Sequence, residues 1–231
     1  MADELTGNRA ALTGDHANHL VRVLRASVGQ EFDIATANSV RRGRIVSIAQ
    51  GRVEFDLGEE IPAAAAPNLT LILAVIKFDR MEWAIEKCTE LGISRIIPAI
   101  ARRTEIHLAS AATKRVDRWR KIAMQAAEQS RRAAPPEIYD PMKLVEALKL
   151  PGTTRIALSE SEDRTQLRDA IASYSGEGEI LLAIGPEGGW TADELQLFKT
   201  SGWISTSLGS TILRAETAAI AAAAITISEL G

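Results

Sequence analysis

Residues 179–195 read EILLAIGPEGGWTADEL. An apolar run stops in Gly185-Pro186-Glu187-Gly188-Gly189, and a helix-like pattern then resumes. Glycines admit positive φ or a close approach of the backbone, so a ligand can lie against main chain there. Charge indicates which ligand. No Lys or Arg occurs from Ser175 to Phe198, and the loop itself carries Glu187. A phosphate cradle needs Gly-Lys-Ser/Thr, and a dinucleotide fingerprint needs a different glycine spacing. An acidic, glycine-lined loop with apolar flanks suits a neutral or cationic ligand, the alternative being a tight turn with no ligand. A second segment, SLGSTILRAETAAIAAAAITISELG, repeats the arrangement. A strand-like stretch ends at Leu208, Gly209 breaks it, and a helix starts near Arg214. Two adjacent strand-end loops can form two walls of one pocket. Arg214 and Glu216, at the start of that helix, make a solvated ion pair if they have no other role.

Other candidates are weaker. Between Arg102 and Arg132 there are nine basic residues and three acids, on a chain of net charge −3. Such a stripe either binds phosphates by releasing counterions or is a solvated helix face. His16 and His19 have a spacing that could serve a metal, but no Cys or carboxylate cluster accompanies them, so no metal site is expected. Cys88, the single cysteine, falls on an apolar helix face and reads as packing. One cysteine excludes an internal disulfide and fits a cytoplasmic home. The start, MADELTGNRA, has acids and no apolar core, unlike a signal peptide. The uncharged stretch 217–228 is too short to span a bilayer.

The elements that position these residues change character along the chain. The first ~65 residues contain a short helix in HANHLVRVLR and then strands with period two. Val53, Phe55 and Leu57 alternate with Arg52, Glu54 and Asp56, which predicts a small antiparallel barrel or sandwich. IPAAAAPN (61–68) reads as a linker. Beyond it, apolar strands (69–76, 93–100, 154–159, 179–184, 203–208) alternate with helices, which predicts an α/β unit with a parallel sheet covered on both faces. Asp79 with Glu82, and Thr191 with Glu194, have capping-box spacing. Gly92 suits the left-handed position that ends a helix. A long helix is expected over about 113–132, stopped by Pro135-Pro136. The alanine-rich helix at the end is expected either in the core or at a subunit interface.

IGPEGGW followed by LGSTILRAETAA resembles the C-terminal signature of the RsmE-type methyltransferases of the SPOUT class. HANHLVRVLR, KFDRMEWAIEKCTELGISRIIP and RWRKIAMQAAEQSRR extend the resemblance from about Thr13 to Ile220. The resemblance implies an S-adenosylmethionine-dependent enzyme that methylates N3 of a uridine in small-subunit (16S) ribosomal RNA. It implies a PUA-like RNA-binding β-barrel (1–66) and a SPOUT domain (67–231) with a deep C-terminal trefoil knot. It also implies a homodimer formed through that domain. Alternatives are a SPOUT enzyme acting on another RNA or a ribose 2′-oxygen, and a non-catalytic ribosome-assembly factor. The family's cofactor loops fall on Gly185, Pro186, Glu187, Gly188 and Gly189, and on Leu208, Gly209, Ile212 and Leu213. The end of the earlier strand near Leu158 adds a further wall. Such a ligand carries a sulfonium and no phosphate, which agrees with the missing lysine. Arg214 and Glu216 are the expected catalytic pair, with Glu187 a second candidate for proton acceptor. Arg22, Arg25, Arg102, Arg103, Arg118, Arg131 and Arg132 are the expected RNA contacts.

Overall fold

The computed structural model describes residues 2–36, 39–49, 51–61, 68–174 and 178–230. The chain divides into two compact units, Met1–Ala65 with Arg131–Ala134, and Ala66–Ser130 with Pro135–Gly231. Residues 62–67, most of the expected linker and the expected boundary, lie outside the described residues.

The first unit contains β1 (Glu4–Thr6), β2 (Arg9–Thr13), α1 (Gly14–Asn18), β3 (Glu31–Ala35), β4 (Val40–Ala49) and β5 (Arg52–Ile61). The expected short helix is α1 running into a π-helical turn, His19–Val23. All strand pairs are antiparallel, in the order β1-β2-β5-β4-β3. The Ala2 N–H donates to the Ala35 carbonyl at 2.9 Å, so the chain just before β1 reaches the end of β3. The period-two pattern does what it should: Val53, Phe55 and Leu57 are buried in this unit's core while Asp56 faces solvent.

The second unit carries β6 (Asn68–Ala74), α2 (Phe78–Leu91), β7 (Arg95–Ile100), α3 (Ile106–Ala111), α4 (Val116–Gln129), β8 (Glu137–Ile138) and β9 (Met142–Lys143). Then follow α5 (Leu144–Ala147), β10 (Thr154–Leu158), α6 (Leu167–Ala172), β11 (Glu179–Ile184), α7 (Ala192–Thr200), β12 (Ile204–Thr206) and α8 (Ala215–Leu230). The strands pair in parallel in the order β12-β10-β11-β6-β7-β8, with β9 also on β7. The continuous apolar run of β6 has two faces to satisfy. Leu71 and Leu73 enter one core with α2, α4, α6 and α8, while Ile72 and Ala74 enter the other with α5 and α7.

Three local expectations are corrected. The helix expected over 113–132 is a 3-10 turn (Ala112–Arg115) followed by α4, which ends at Gln129 ahead of the left-handed Arg131 (φ +59°). The Asp79–Glu82 box does not form: Lys77 is the N-cap without a side-chain cap bond, and Glu82 instead accepts from Arg118 at 2.6 and 2.7 Å. The strand expected over 203–208 is the shorter β12, prolonged by an isolated bridge at Ser207. Gly92 does cap α2 in the left-handed region (φ +107°), and Thr191 and Glu194 do form their box on α7. Helix α8 packs on α2 and α6 along Ala219, Ala222, Ala223 and Thr226, so one of its faces is core.

Candidate functional site at the ends of β10, β11 and β12

In parallel sheets ligands bind beyond the carboxyl ends of the strands. Three such ends meet here around a cavity of about 430 Å³. One wall is the end of β10, from Leu158 to Ser161. The second is the glycine loop after β11, and the third is the segment 207–215 between β12 and α8.

The walls are held by hydrogen bonds that follow from the sequence. The Trp190 indole N–H donates to the Leu158 carbonyl at 2.9 Å, which ties the glycine loop to β10. Its ring is buried and meets Phe198, with centroids 4.9 Å apart. The Gly189 N–H closes a turn onto the Pro186 carbonyl at 2.8 Å. Gly189 has φ +67°, and a Cβ there would stand 2.8 Å from Glu160 Oε1, so glycine is needed for backbone reasons. Glu194 is buried, accepts from the Thr191 N–H and hydroxyl, and also accepts from the Arg102 N–H at 2.8 Å. Arg103 donates to the Gly188 and Trp190 carbonyls. The loop after β7 therefore fastens the loop after β11.

The third wall passes through a tight place. The Ser159 N–H donates to the Thr206 carbonyl, the Ser207 N–H to the Thr165 carbonyl, and the Leu167 N–H to the Ser207 carbonyl, at 2.9, 2.9 and 3.0 Å. The chain leaving β12 thus runs between the end of β10 and residues 165–167.

Of the expected cofactor residues, Leu158, Gly185, Pro186, Glu187, Gly189, Leu208, Gly209, Ile212 and Leu213 all line the cavity. Gly188 does not: it is exposed, and a Cβ on it would meet the Arg103 Cδ at 3.2 Å. Arg214 lines the cavity, is exposed, and has no ion pair among the described residues. Glu216 does not line it and does not pair with Arg214. Its side chain is 4% exposed and its partner is Arg80, Nε to Oε1 at 3.6 Å. Its Oε2 has no hydrogen-bond partner among the described residues. Arg80 also reaches Glu187, Nη1 to Oε1 at 3.4 Å.

Sequence reasoning missed Arg80, Glu160 and the serines 159 and 161, whose hydroxyls lie 2.8 Å apart. The signal was available. The strand-end rule that picked 185–189 applies equally to the residues after β6 and β10.

The expected RNA contacts differ in their surroundings. Arg118 is bidentate to Glu82, Arg103 is held by the glycine loop, and Arg120, also in the basic stripe, bonds the Ile138 carbonyl and Asp140. Arg22, Arg25 and Arg102 are exposed and have no side-chain ion pair among the described residues. Arg25 and Arg131 are exposed with positive φ (51° and 59°), and Arg132 is half-buried. Desolvation holds Arg132 below the ordinary arginine range. Cys88 is fully buried and its thiol is pushed up to about 12 by desolvation, so it is not a nucleophile. His16 pairs with Asp3 at 2.8 Å. Among the described residues no group of His, Cys, Asp and Glu is placed to hold a metal ion, and no helix is long and apolar enough to cross a membrane.

Known proteins resemble this chain. The pattern of the RNA methyltransferase domain family matches residues 64–227. The ribosomal RNA small subunit methyltransferase E of Rickettsia conorii is 34% identical over 94% of this chain and 88% of its own length. Its counterpart from a Synechocystis strain is 32% identical over 90% and 69%. The crystal structure of the Neisseria gonorrhoeae ribosomal RNA small subunit methyltransferase E, bound to S-adenosyl methionine, is 30% identical and superposes with a TM-score of 0.72, covering 97% of this chain and 93% of that one. The chain therefore belongs to the RNA methyltransferase family that includes the ribosomal RNA small subunit methyltransferase E proteins.

Proposed function

We propose that this protein transfers a methyl group from S-adenosylmethionine to N3 of a uridine in small-subunit (16S) ribosomal RNA. The observation that carries the reading is the cavity where three parallel strand ends meet, in a chain whose relatives are named for methylation of that RNA. The cavity fits such a cofactor on chemical grounds. Much of its wall is backbone of glycine-containing loops, and Gly189 holds a positive φ that disfavours a side chain. Glu160 and Glu187 offer negative charge toward a cation; of the two arginines that also line the cavity, Arg80 is paired with Glu187 and Arg214 stands at the start of α8.

The residues that would hold the cofactor are Gly185, Pro186, Glu187 and Gly189, with Leu158, Leu208, Gly209, Ile212 and Leu213. The group supplies a methyl carried on a positively charged sulfur. The protein's share is alignment, which can supply much of the rate, and control of charge on the base. Arg214, exposed at the cavity and without an ion pair among the described residues, stabilises the uracil anion left when the N3 proton departs. Glu187 is the better placed proton acceptor, because it lines the cavity while Glu216 is buried on Arg80. Glu216 then acts by holding Arg80.

The same reading assigns residues 1–66 to a PUA-like RNA-binding barrel and 67–231 to a SPOUT domain. It is supported by the antiparallel first unit and the parallel second one. A trefoil knot is supported by the passage of 206–207 between the β10 end and residues 165–167. The protein acts in the cytoplasm as a homodimer formed through the second unit, and Arg22, Arg25, Arg102, Arg131 and Arg132 meet the RNA. Mapping methylated uridines in 16S RNA from a strain lacking the protein tests the activity. Loss of one N3-methyluridine, restored by the wild-type chain but not by Arg214→Ala, is expected. An unchanged methylation map removes the proposal.

A further inference from the structure

Arg80 stands between two carboxylates that come from different segments. Glu187 lies in the glycine loop, and Glu216 lies in the first turn of α8. Arg80 itself comes from α2, in neither of them. One guanidinium therefore faces two carboxylates, and the group keeps one excess negative charge, which the other two charged residues lining the cavity, Glu160 and Arg214, leave unchanged because they are opposite in sign. That charge is weakly screened. The Glu216 side chain is 4% exposed, and its Oε2 has no donor among the described residues to share it. Glu187 and Arg80 both line the cavity.

We infer that the Glu187–Arg80–Glu216 array makes the site favour a charged methyl donor over its uncharged product, with Arg80 the positioning residue that keeps Glu187 against the cavity. This rests on the cofactor reading above. In methyl transfer the attacking nitrogen forms a bond to the methyl carbon, and the carbon–sulfur bond breaks. The sulfur keeps the electron pair and loses its positive charge. Donor and product then differ by one methyl and one unit of charge, and an excess carboxylate nearby distinguishes them. Seen across several ångströms at a partly wet surface, a unit charge shifts affinity by roughly 3- to 10-fold. A site so charged takes up donor in the presence of accumulated product, and it disfavours product again once Glu187 has passed the N3 proton to solvent and recovered its charge.

The array divides into charge and geometry, and two variants separate them. Glu187→Gln removes charge from an exposed turn with little change of shape. Arg80→Lys keeps the charge and loses the two-sided reach of the guanidinium. The experiment is calorimetric titration of the full-length protein with S-adenosylmethionine and, separately, S-adenosylhomocysteine. For Glu187→Gln the donor should weaken roughly 3- to 10-fold more than the product. For Arg80→Lys both should weaken by a common factor, leaving their ratio intact. Equal weakening of the two ligands in Glu187→Gln overturns the inference, because it makes Glu187 a loop-shaping residue only. Absence of binding of either ligand to folded wild-type protein overturns the cofactor reading itself, and this inference with it.

Discussion

Gly188 and Gly189 are adjacent in the sequence and should respond in opposite ways to alanine. Gly189 sits at φ +67°, where an L-residue costs about 1–2 kcal/mol. Its Cβ would also stand 2.8 Å from Glu160 Oε1. Glu160 is exposed and can swing away, so the backbone term sets the size of the effect. Gly188 has no positive φ, and the nearest atom to a Cβ is the Arg103 Cδ at 3.2 Å, which has to give by only a few tenths of an ångström. Gly188→Ala should be near neutral, within ~0.5 kcal/mol, helped by the smaller entropy of the unfolded chain. Gly189→Ala should lower the urea midpoint at unchanged m by an amount equivalent to about 1–2 kcal/mol. If the free loop relaxes instead, the strain returns on binding, and affinity for S-adenosylmethionine falls roughly 5- to 30-fold with stability preserved. Urea unfolding and calorimetry on the same two variants read both routes. Equal damage from the two substitutions, or no damage from Gly189→Ala by either measure, would refute the backbone argument.

Trp190→Phe removes the indole donor and leaves the buried Leu158 carbonyl without it, so a loss of about 1–3 kcal/mol in urea unfolding is expected. Cofactor affinity should fall as well, because that bond joins two walls. Cys88 is fully buried with its thiol pushed up to about 12, so a maleimide at neutral pH should label the native protein only as fast as it opens, and urea should accelerate labelling sharply. Rapid stoichiometric labelling of folded protein would contradict the packing. Arg102→Glu should weaken RNA binding and reduce the slope of log K against log salt by about 1 or more. Arg118→Glu should change the slope less, because Glu82 already holds the Arg118 guanidinium at 2.6 Å; an equal or larger effect at Arg118 would mean that the pair opens for RNA.

The parts of the site that were legible in the sequence are those written in single segments. An apolar run that stops in glycine marks a strand end wherever the fold is parallel, and this brought Gly185–Gly189 and Leu208–Leu213 into view before any geometry existed. The Thr191–Glu194 box was legible for the same reason, being local to four residues. The Asp79–Glu82 box has equal spacing and failed because Glu82 found a stronger partner, a bidentate arginine on the neighbouring α4. Charge counts say nothing of pairing for the same reason. The basic stripe looked free because its acids were few, yet Arg118 and Arg120 take partners (Glu82, the Ile138 carbonyl and Asp140) from outside the stripe. Composition within a window is blind to pairing across elements.

Arg214 and Glu216 show the limit most clearly. Two residues apart at a helix start, they read as one ion pair, but residues at i and i+2 point to different sides of a helix. Arg214 precedes α8 and stays at the cavity, whereas Glu216 lies inside its first turn and is buried. A buried carboxylate needs a cation, and the one within reach comes from α2, more than a hundred residues earlier in the chain. The same guanidinium meets the glycine loop. The charge of the site is therefore set by where three segments converge. Each contributes one member, and in isolation each member has an adequate local explanation. Only the strand order, which puts β11 beside β6 and β12 beyond β10, makes Arg80, Glu187 and Glu216 a single electrostatic object.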